Sequence, residues 1–106
     1  MVEQRRFKRF DISLPIKLIR DGLKPMEGAG LTRNLSSGGV LFLSDVKLEP
    51  GETVEYVIDL TGSGGVNLHC LGKVLRLDKS LPHANNPSRA FQMAATVERY
   101  EFVRTR

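Results

Sequence analysis

Cysteine and long apolar runs are both scarce in this sequence. Cys70 is its single cysteine, so the chain cannot form an internal disulfide, as is usual in a reducing compartment. No segment approaches the roughly 20 apolar residues that a membrane-spanning helix needs, and the charged N-terminus is not followed by the apolar stretch of a secretory signal. We therefore expect a cytoplasmic protein without a membrane span, in which Cys70 is a small buried hydrophobic residue rather than a nucleophile.

The sequence also lacks the residue patterns of catalysis and of metal binding. Its two histidines, His69 and His83, do not stand at metal-ligand spacing from Cys, Asp or Glu. The glycine-rich stretch 62–65 lacks the lysine and the following helix of a phosphate-binding loop, and neither a serine elbow nor a dinucleotide-binding motif is present. We therefore expect no catalytic residue, no metal site and no cofactor, and we favour a binding module over an enzyme.

Short alternating segments separated by glycine and proline turns predict an all-β fold. With 106 residues and 41% hydrophobic content, the chain is long enough for one domain with its own core. In the longest extended segment the apolar side changes at Gly72, which indicates a bulge or a corner and favours a closed antiparallel barrel over a sandwich. We expect a loop at 23–28 and a C-terminal turn or short helix at 98–106. Strands are predicted over residues 12–20, 29–35, 40–43, 54–60, 66–78 and 91–97.

The basic residues are concentrated near the N-terminus. The net charge is only +4, but Arg5, Arg6, Lys8 and Arg9 fall within five positions. Arg5 and Arg9 are four residues apart, a spacing that brings both to one side of a helical or an extended segment. Their planar guanidinium groups suit paired hydrogen bonds to phosphate oxygens or to the O6 and N7 edge of guanine. An exposed, disordered basic arm is the alternative interpretation.

A second polar group lies in the turn at residues 34–39. Asn34 and Ser36 are two residues apart, so in an extended chain both side chains leave the same face. Gly38 and Gly39 add backbone freedom and leave no side chain to block a close approach. These residues fit a flat ligand that forms hydrogen bonds, although Asn, Ser and Gly are also common in ordinary hairpin turns.

Taken together, the two groups resemble the motifs of the PilZ domain family. That family carries Arg-x-x-x-Arg ahead of (Asp/Asn)-x-Ser-x-x-Gly, and both patterns occur here in that order. Arg5 and Arg9 match the first pattern, and Asn34, Ser36 and Gly39 match the second. The resemblance extends over nearly the whole chain.

The resemblance implies a fold and a function. The fold is a single PilZ-like domain over 1–106, with a flexible ligand-clamping arm at 1–11 and a six-stranded antiparallel β-barrel at 12–97. The function is that of a stand-alone bacterial receptor for the second messenger cyclic di-GMP, which signals to a downstream protein partner when the ligand orders the arm.

The resemblance also implies roles for individual residues. The two motif arginines would contact the phosphates and the Hoogsteen edge of guanine, and Arg6 would add a phosphate or stacking contact. Asn34 and Ser36 would bond guanine atoms, while Gly38 and Gly39 would give clearance. The predicted ligand-binding residues are therefore Arg5, Arg6, Arg9, Asn34, Ser36, Gly38 and Gly39.

Two other functions fit parts of the same sequence. A small basic barrel can bind single-stranded nucleic acid, but such barrels offer exposed aromatic rings, and Phe42, Tyr56 and Phe91 fall at positions that suit a core. A PilZ-like module without ligand could act through protein contacts alone, but the intact motif residues argue against it.

Overall fold

Strands form the whole regular structure of the described residues, which are 9–80 and 90–104 in this computed structural model. No helix in these residues is long and apolar enough to cross a bilayer. The strands are β1 (Pro15–Asp21), β2 (Lys24–Leu35), β3 (Gly39–Ser44), β4 (Thr53–Asp59), β5 (Val66–Ser80), β6 (Phe91–Thr96) and β7 (Arg99–Arg104).

Six of these strands close into an antiparallel barrel. Hydrogen-bonded neighbours follow the order β4-β1-β2-β3-β6-β5, and a further pairing between β4 and β5 closes the ring. The seventh strand, β7, pairs with the first half of β5 outside this ring. The prediction of an all-β, six-stranded antiparallel barrel is therefore confirmed, with one extra strand added to it.

The barrel closes because β5 changes partner along its length. Its first half pairs with β4 as far as Lys73, and its second half pairs with β6 from Val74 onward. Gly72 lies at this change, where a Cβ on its backbone would be 1.8 Å from the carbonyl oxygen of Thr96. No side chain fits in that space. The apolar side does not change at Gly72 as predicted, because Cys70 and Val74 are buried on the same face and the register shift follows Val74. Gly72 instead lies just before the change of partner, where the β6 backbone approaches closely.

Two local predictions were wrong. The predicted loop at 23–28 belongs mostly to β2, because β1 and β2 pair up to Asp21 and Lys24 around a tight turn in which Gly22 has φ of 63°. The C-terminal helix is instead the strand β7. Its alternating residues find backbone partners on the free side of β5, whereas a single helical turn has almost no stability of its own.

Of the three rings that sequence analysis assigned to the core, Phe42 and Tyr56 lie inside it and Phe91 is half-buried against it. Phe42 and Tyr56 are completely buried and stack with centroids 6.4 Å apart. The Tyr56 hydroxyl donates a hydrogen bond of 2.8 Å to the carbonyl oxygen of Thr96, so its polar atom is satisfied inside the barrel. These two rings are not available for stacking on a nucleic-acid base.

Cys70 is a free thiol in the same core and is 2% exposed, as predicted. Burial raises the pKa of the Cys70 thiol to about 11, so little reactive thiolate exists at pH 8.

We expect native protein to react with a thiol reagent such as DTNB at least about 100-fold more slowly than urea-unfolded protein. Equal rates in the two states would contradict this burial.

Candidate functional site

A basic pocket lies where the turn between β2 and β3 meets β5 and β6. Its volume is about 240 Å³. Five of the seven predicted ligand-binding residues line it, namely Arg9, Asn34, Ser36, Gly38 and Gly39, whereas Arg5 and Arg6 lie outside the described residues. The remaining wall and floor are formed by Val40, Leu41, Leu75, Arg76, Ala94 and Ala95.

The Ser36 hydroxyl organises the turn that forms one wall of this pocket. It accepts hydrogen bonds of 3.2 Å from the amides of both Gly38 and Gly39, and it donates one of 3.3 Å to the carbonyl oxygen of Gly39. The Ser36 amide also donates to that carbonyl, at 2.9 Å. Since a hydroxyl has one donor and two acceptor sites, Ser36 is fully used in holding the turn.

Asn34 is placed differently from Ser36. A register shift between Thr32 and Asn34 makes β2 bulge against β3, so that Asn34 pairs with Leu41 at the pocket. Bulges redirect side chains in this way. No hydrogen bond joins the Asn34 side chain to another residue in 9–80 or 90–104, so both ends of its amide are available to a ligand.

Gly39 has a structural reason to be glycine that does not depend on a ligand. A Cβ at this position would lie 2.9 Å from the carbonyl oxygen of Ala95 on β6. Neither Gly38 nor Gly39 has a positive φ; the described glycines that do are Gly22, Gly51, Gly62 and Gly64. The expected backbone freedom is therefore not what this turn uses, and the need at Gly39 is for close packing against β6.

The chain just after the arm is fixed against β2, which places Arg9 at the pocket. Phe10 and Leu35 exchange two backbone hydrogen bonds of 2.9 Å. Further along, the buried Thr32 hydroxyl donates to the carbonyl oxygen of Ile12 at 2.5 Å and accepts from the Leu14 amide at 2.9 Å. The two motifs thus meet because residues 10–14 run antiparallel to β2, with residue 10 beside the turn that holds the second motif.

The family of this chain follows from its sequence as a whole. The sequence profile of the PilZ domain matches residues 3–93. The chain belongs to the PilZ domain family. This membership confirms the resemblance that the two motifs indicated. A comparison with curated proteins found no match.

Among solved structures, this PilZ domain resembles the Bacillus subtilis inhibitor of motility, MotI/DgrA. The TM-score is 0.66 at 17% sequence identity, and the match covers 94% of this chain and 44% of that one. The chain therefore spans less than half the length of that protein. At such low identity the likeness shows a shared fold, and it agrees with the barrel described above.

Sequence analysis missed Arg76 and Leu75, which line the pocket of this PilZ domain from β5. Leu75 follows the buried Val74 and is 54% exposed, and the register shift between Val74 and Arg76 leaves Arg76 on the outside as well. Arg76 is exposed and pairs with Ala94 across the strands. The sequence signal that could have indicated Arg76 is the pair Ala94 and Ala95 on β6, whose small side chains leave space beside the arginine.

Arg76 already has an anionic neighbour. Its Nε donates a hydrogen bond of 2.5 Å to Asp78 Oδ1, and Gln92 Nε2 donates to the other carboxylate oxygen at 3.4 Å. Arg33 Nη1 in turn donates to Gln92 Oε1 at 3.2 Å. Asp78 itself does not line the pocket, and the described lining residues include two arginines and no carboxylate. The pocket therefore suits an anion.

Proposed function

We propose that this PilZ domain binds cyclic di-GMP in the basic pocket. The observation that carries this proposal is the convergence of Arg9 from the first motif with Asn34, Ser36, Gly38 and Gly39 from the second in one pocket without a carboxylate. Cyclic di-GMP is a doubly charged anion with two guanine bases. It needs forked cations for its phosphates and neutral donors and acceptors for its bases.

Each residue has a role that its surroundings support. Arg9 is exposed at the pocket edge, so its guanidinium can reach a phosphate or the O6 and N7 edge of guanine. The Asn34 amide can both donate to and accept from a base. Ser36 holds the turn, and it can contact a base only by exchanging its longest bond, to the Gly39 carbonyl. Gly38 and Gly39 leave the turn open to a flat ring.

The signal is proposed to pass through the arm. Arg5 and Arg6 would close on the phosphates together with Arg9, and the Phe10–Leu35 bridge is the fixed point from which the arm extends. Binding would then change the surface beside the pocket, where a downstream protein partner could recognise it. In this proposal the protein is a cytoplasmic bacterial receptor and not an enzyme.

The proposal is tested by isothermal titration with cyclic di-GMP, with cyclic di-AMP and a short single-stranded oligonucleotide as controls in near-physiological salt. Saturable binding of cyclic di-GMP alone supports it. The oligonucleotide is a pertinent control because Phe10, Tyr100 and Phe102 are exposed rings, which single-stranded nucleic acid can stack on. Binding of the oligonucleotide without the dinucleotide, or of neither, would overturn the receptor function.

Substitutions at Arg76 and at Asp78 should change the affinity for cyclic di-GMP in opposite directions. Arg76→Ala removes a cation from the pocket and should weaken cyclic di-GMP binding by about tenfold. Asp78→Asn keeps the shape of the side chain but releases Arg76 from its carboxylate, and should tighten binding by about two- to fivefold. Titrations of both variants check this. If Asp78→Asn binds more weakly than the wild type, Arg76 does not compete between Asp78 and the ligand.

A further inference from the structure

Among the described residues, the strand β7 pairs along one edge only. Along one side it pairs with β5, from Arg99 opposite Leu71 to Arg104 opposite Val66. It stands at the end of the strand order, and no strand within residues 9–80 and 90–104 pairs with its other side. Such an edge presents a row of backbone donors and acceptors that a further strand can use.

One face of β7 carries exposed aromatic rings. Tyr100 and Phe102 stand opposite Cys70 and Leu68, two buried residues of the core, so they continue the core face of β5 beyond the barrel. They are nevertheless 58% and 66% exposed and meet edge to face with centroids 5.9 Å apart. With Phe10 they line a mainly apolar groove of about 270 Å³. Exposed apolar surface of this kind marks an interaction site.

The other face of β7 carries charges of both signs. Arg99 and Glu101 are two residues apart and line a polar groove with Glu55 and His69. A strand that offers one cation and one anion on the same face can satisfy both by pairing antiparallel with a copy of itself. This charge pattern favours a second copy of the chain as the partner. An acidic partner would leave Glu101 without a cation, and a basic partner would leave Arg99 without an anion.

Two-fold symmetry limits the possible registers. Two copies of a strand that pair antiparallel in one sheet are related by a two-fold axis perpendicular to the sheet. Paired residues then have side chains on the same face, and one residue lies opposite its own symmetry mate across the axis. An axis at Glu101 would place two carboxylates directly opposite each other, which is destabilising. An axis at Phe102 would leave Arg99 beyond the paired segment. An axis at Tyr100 pairs residues 99–101 of the two copies, so that Arg99 of each copy lies opposite Glu101 of the other and the two Tyr100 rings meet. Phe102 then lies opposite Glu98, just before the start of β7.

We propose that the chain forms a two-fold homodimer by antiparallel pairing of β7 with β7 of a second copy, centred on Tyr100. Two equivalent ion pairs between Arg99 and Glu101 lie on one face of the joined sheet, and the two Tyr100 rings meet on the other. The interface is separate from the basic pocket and does not depend on which ligand binds there.

Charge reversal tests the interface and its register together. Sedimentation equilibrium over a range of concentrations should show a dimer for the wild-type chain. Arg99→Glu alone and Glu101→Arg alone place like charges opposite each other, and each should weaken dimerisation by at least about tenfold. The double variant R99E/E101R restores opposite charges and should recover most of the affinity. Glu27→Arg on the exposed face of β2 is the matched control and should leave the dimer unchanged.

Disulfide trapping tests the same register without changing charge. In a Cys70→Ala background, Tyr100→Cys places a cysteine opposite its own symmetry mate at about 4.5–5.5 Å between Cα atoms, within reach of a disulfide. Phe102→Cys places its cysteine opposite Glu98 of the other copy, so the two introduced cysteines are not opposite each other. Faster formation of the covalent dimer by Tyr100→Cys than by Phe102→Cys supports the proposal. A monomer at every concentration, a double variant as weak as the single ones, or equal trapping at both positions would overturn it.

Discussion

With cyclic di-GMP bound as proposed, replacing Arg9 with alanine will weaken its binding strongly while leaving the barrel folded. Arg9 is exposed at the edge of the pocket, so its loss costs no packing inside the core. What is lost is a charged fork that makes paired hydrogen bonds to a phosphate or a guanine edge. We expect a decrease on the order of 100-fold in affinity, which corresponds to about 2.8 kcal/mol.

Two further variants separate the possible causes of such a loss. Arg9→Lys keeps the charge without the fork, so it should recover only a small part of the affinity if bidentate geometry matters. Arg104→Ala removes the same charge from β7, on an exposed residue that does not line the pocket, and should bind as the wild type does. Titration at 50 and 200 mM salt shows how much of the effect is general electrostatics. Unchanged binding by a folded Arg9→Ala protein would refute the proposed site.

The sequence predicts the part of the site whose residues are close together along the chain. Asn34, Ser36 and Gly39 are neighbours in one turn, so their proximity follows from local geometry. Arg9 meets them only because residues 10–14 run beside β2, which the motif resemblance indicates but no local periodicity shows. Thr32, which pins that segment, has no sequence signal beyond being a polar residue in a strand.

Residues that tertiary pairing brings to the site were not predictable in this way. Arg76 faces the pocket because of a register shift in β5, and a shift of one residue reverses the face of every side chain after it. The strand β7 was missed for a related reason. A six-residue segment such as Arg99–Arg104 has no stability alone, and its structure is decided by the unpaired side of β5.

Gly72, in contrast, was singled out from the sequence, and its substitution should have a large effect on stability. A Cβ at this position would lie 1.8 Å from the Thr96 carbonyl oxygen and 2.7 Å from the carbonyl carbon. The Thr96 carbonyl cannot easily move, because it accepts the Tyr56 hydroxyl at 2.8 Å and the Thr96 side chain accepts from the Lys73 amide at 2.8 Å. The steric clash and the loss of the buried hydrogen bond should both lower the free energy of unfolding.

We therefore expect Gly72→Ala to lower the free energy of unfolding by about 3 kcal/mol or more, a large part of the total of a small domain. Urea unfolding followed by circular dichroism measures this as a lower midpoint. The matched control is Gly65→Ala, where the nearest atom to the new methyl group would be 3.7 Å away and φ is not positive; its midpoint should move little. A Gly72→Ala midpoint equal to that of Gly65→Ala would show that the corner does not need a glycine.

A double-mutant cycle identifies the route by which the clash acts. If the new methyl group destabilises the barrel by displacing the Thr96 carbonyl from the Tyr56 hydroxyl, then Gly72→Ala and Tyr56→Phe remove the same hydrogen bond. Their effects on the free energy of unfolding should then be non-additive, with a coupling of about 1 kcal/mol. Additive effects would mean that the corner is displaced as a whole. Since Leu75 and Arg76 follow this corner into the pocket, such a displacement would also weaken cyclic di-GMP binding, whereas a purely local rearrangement would not.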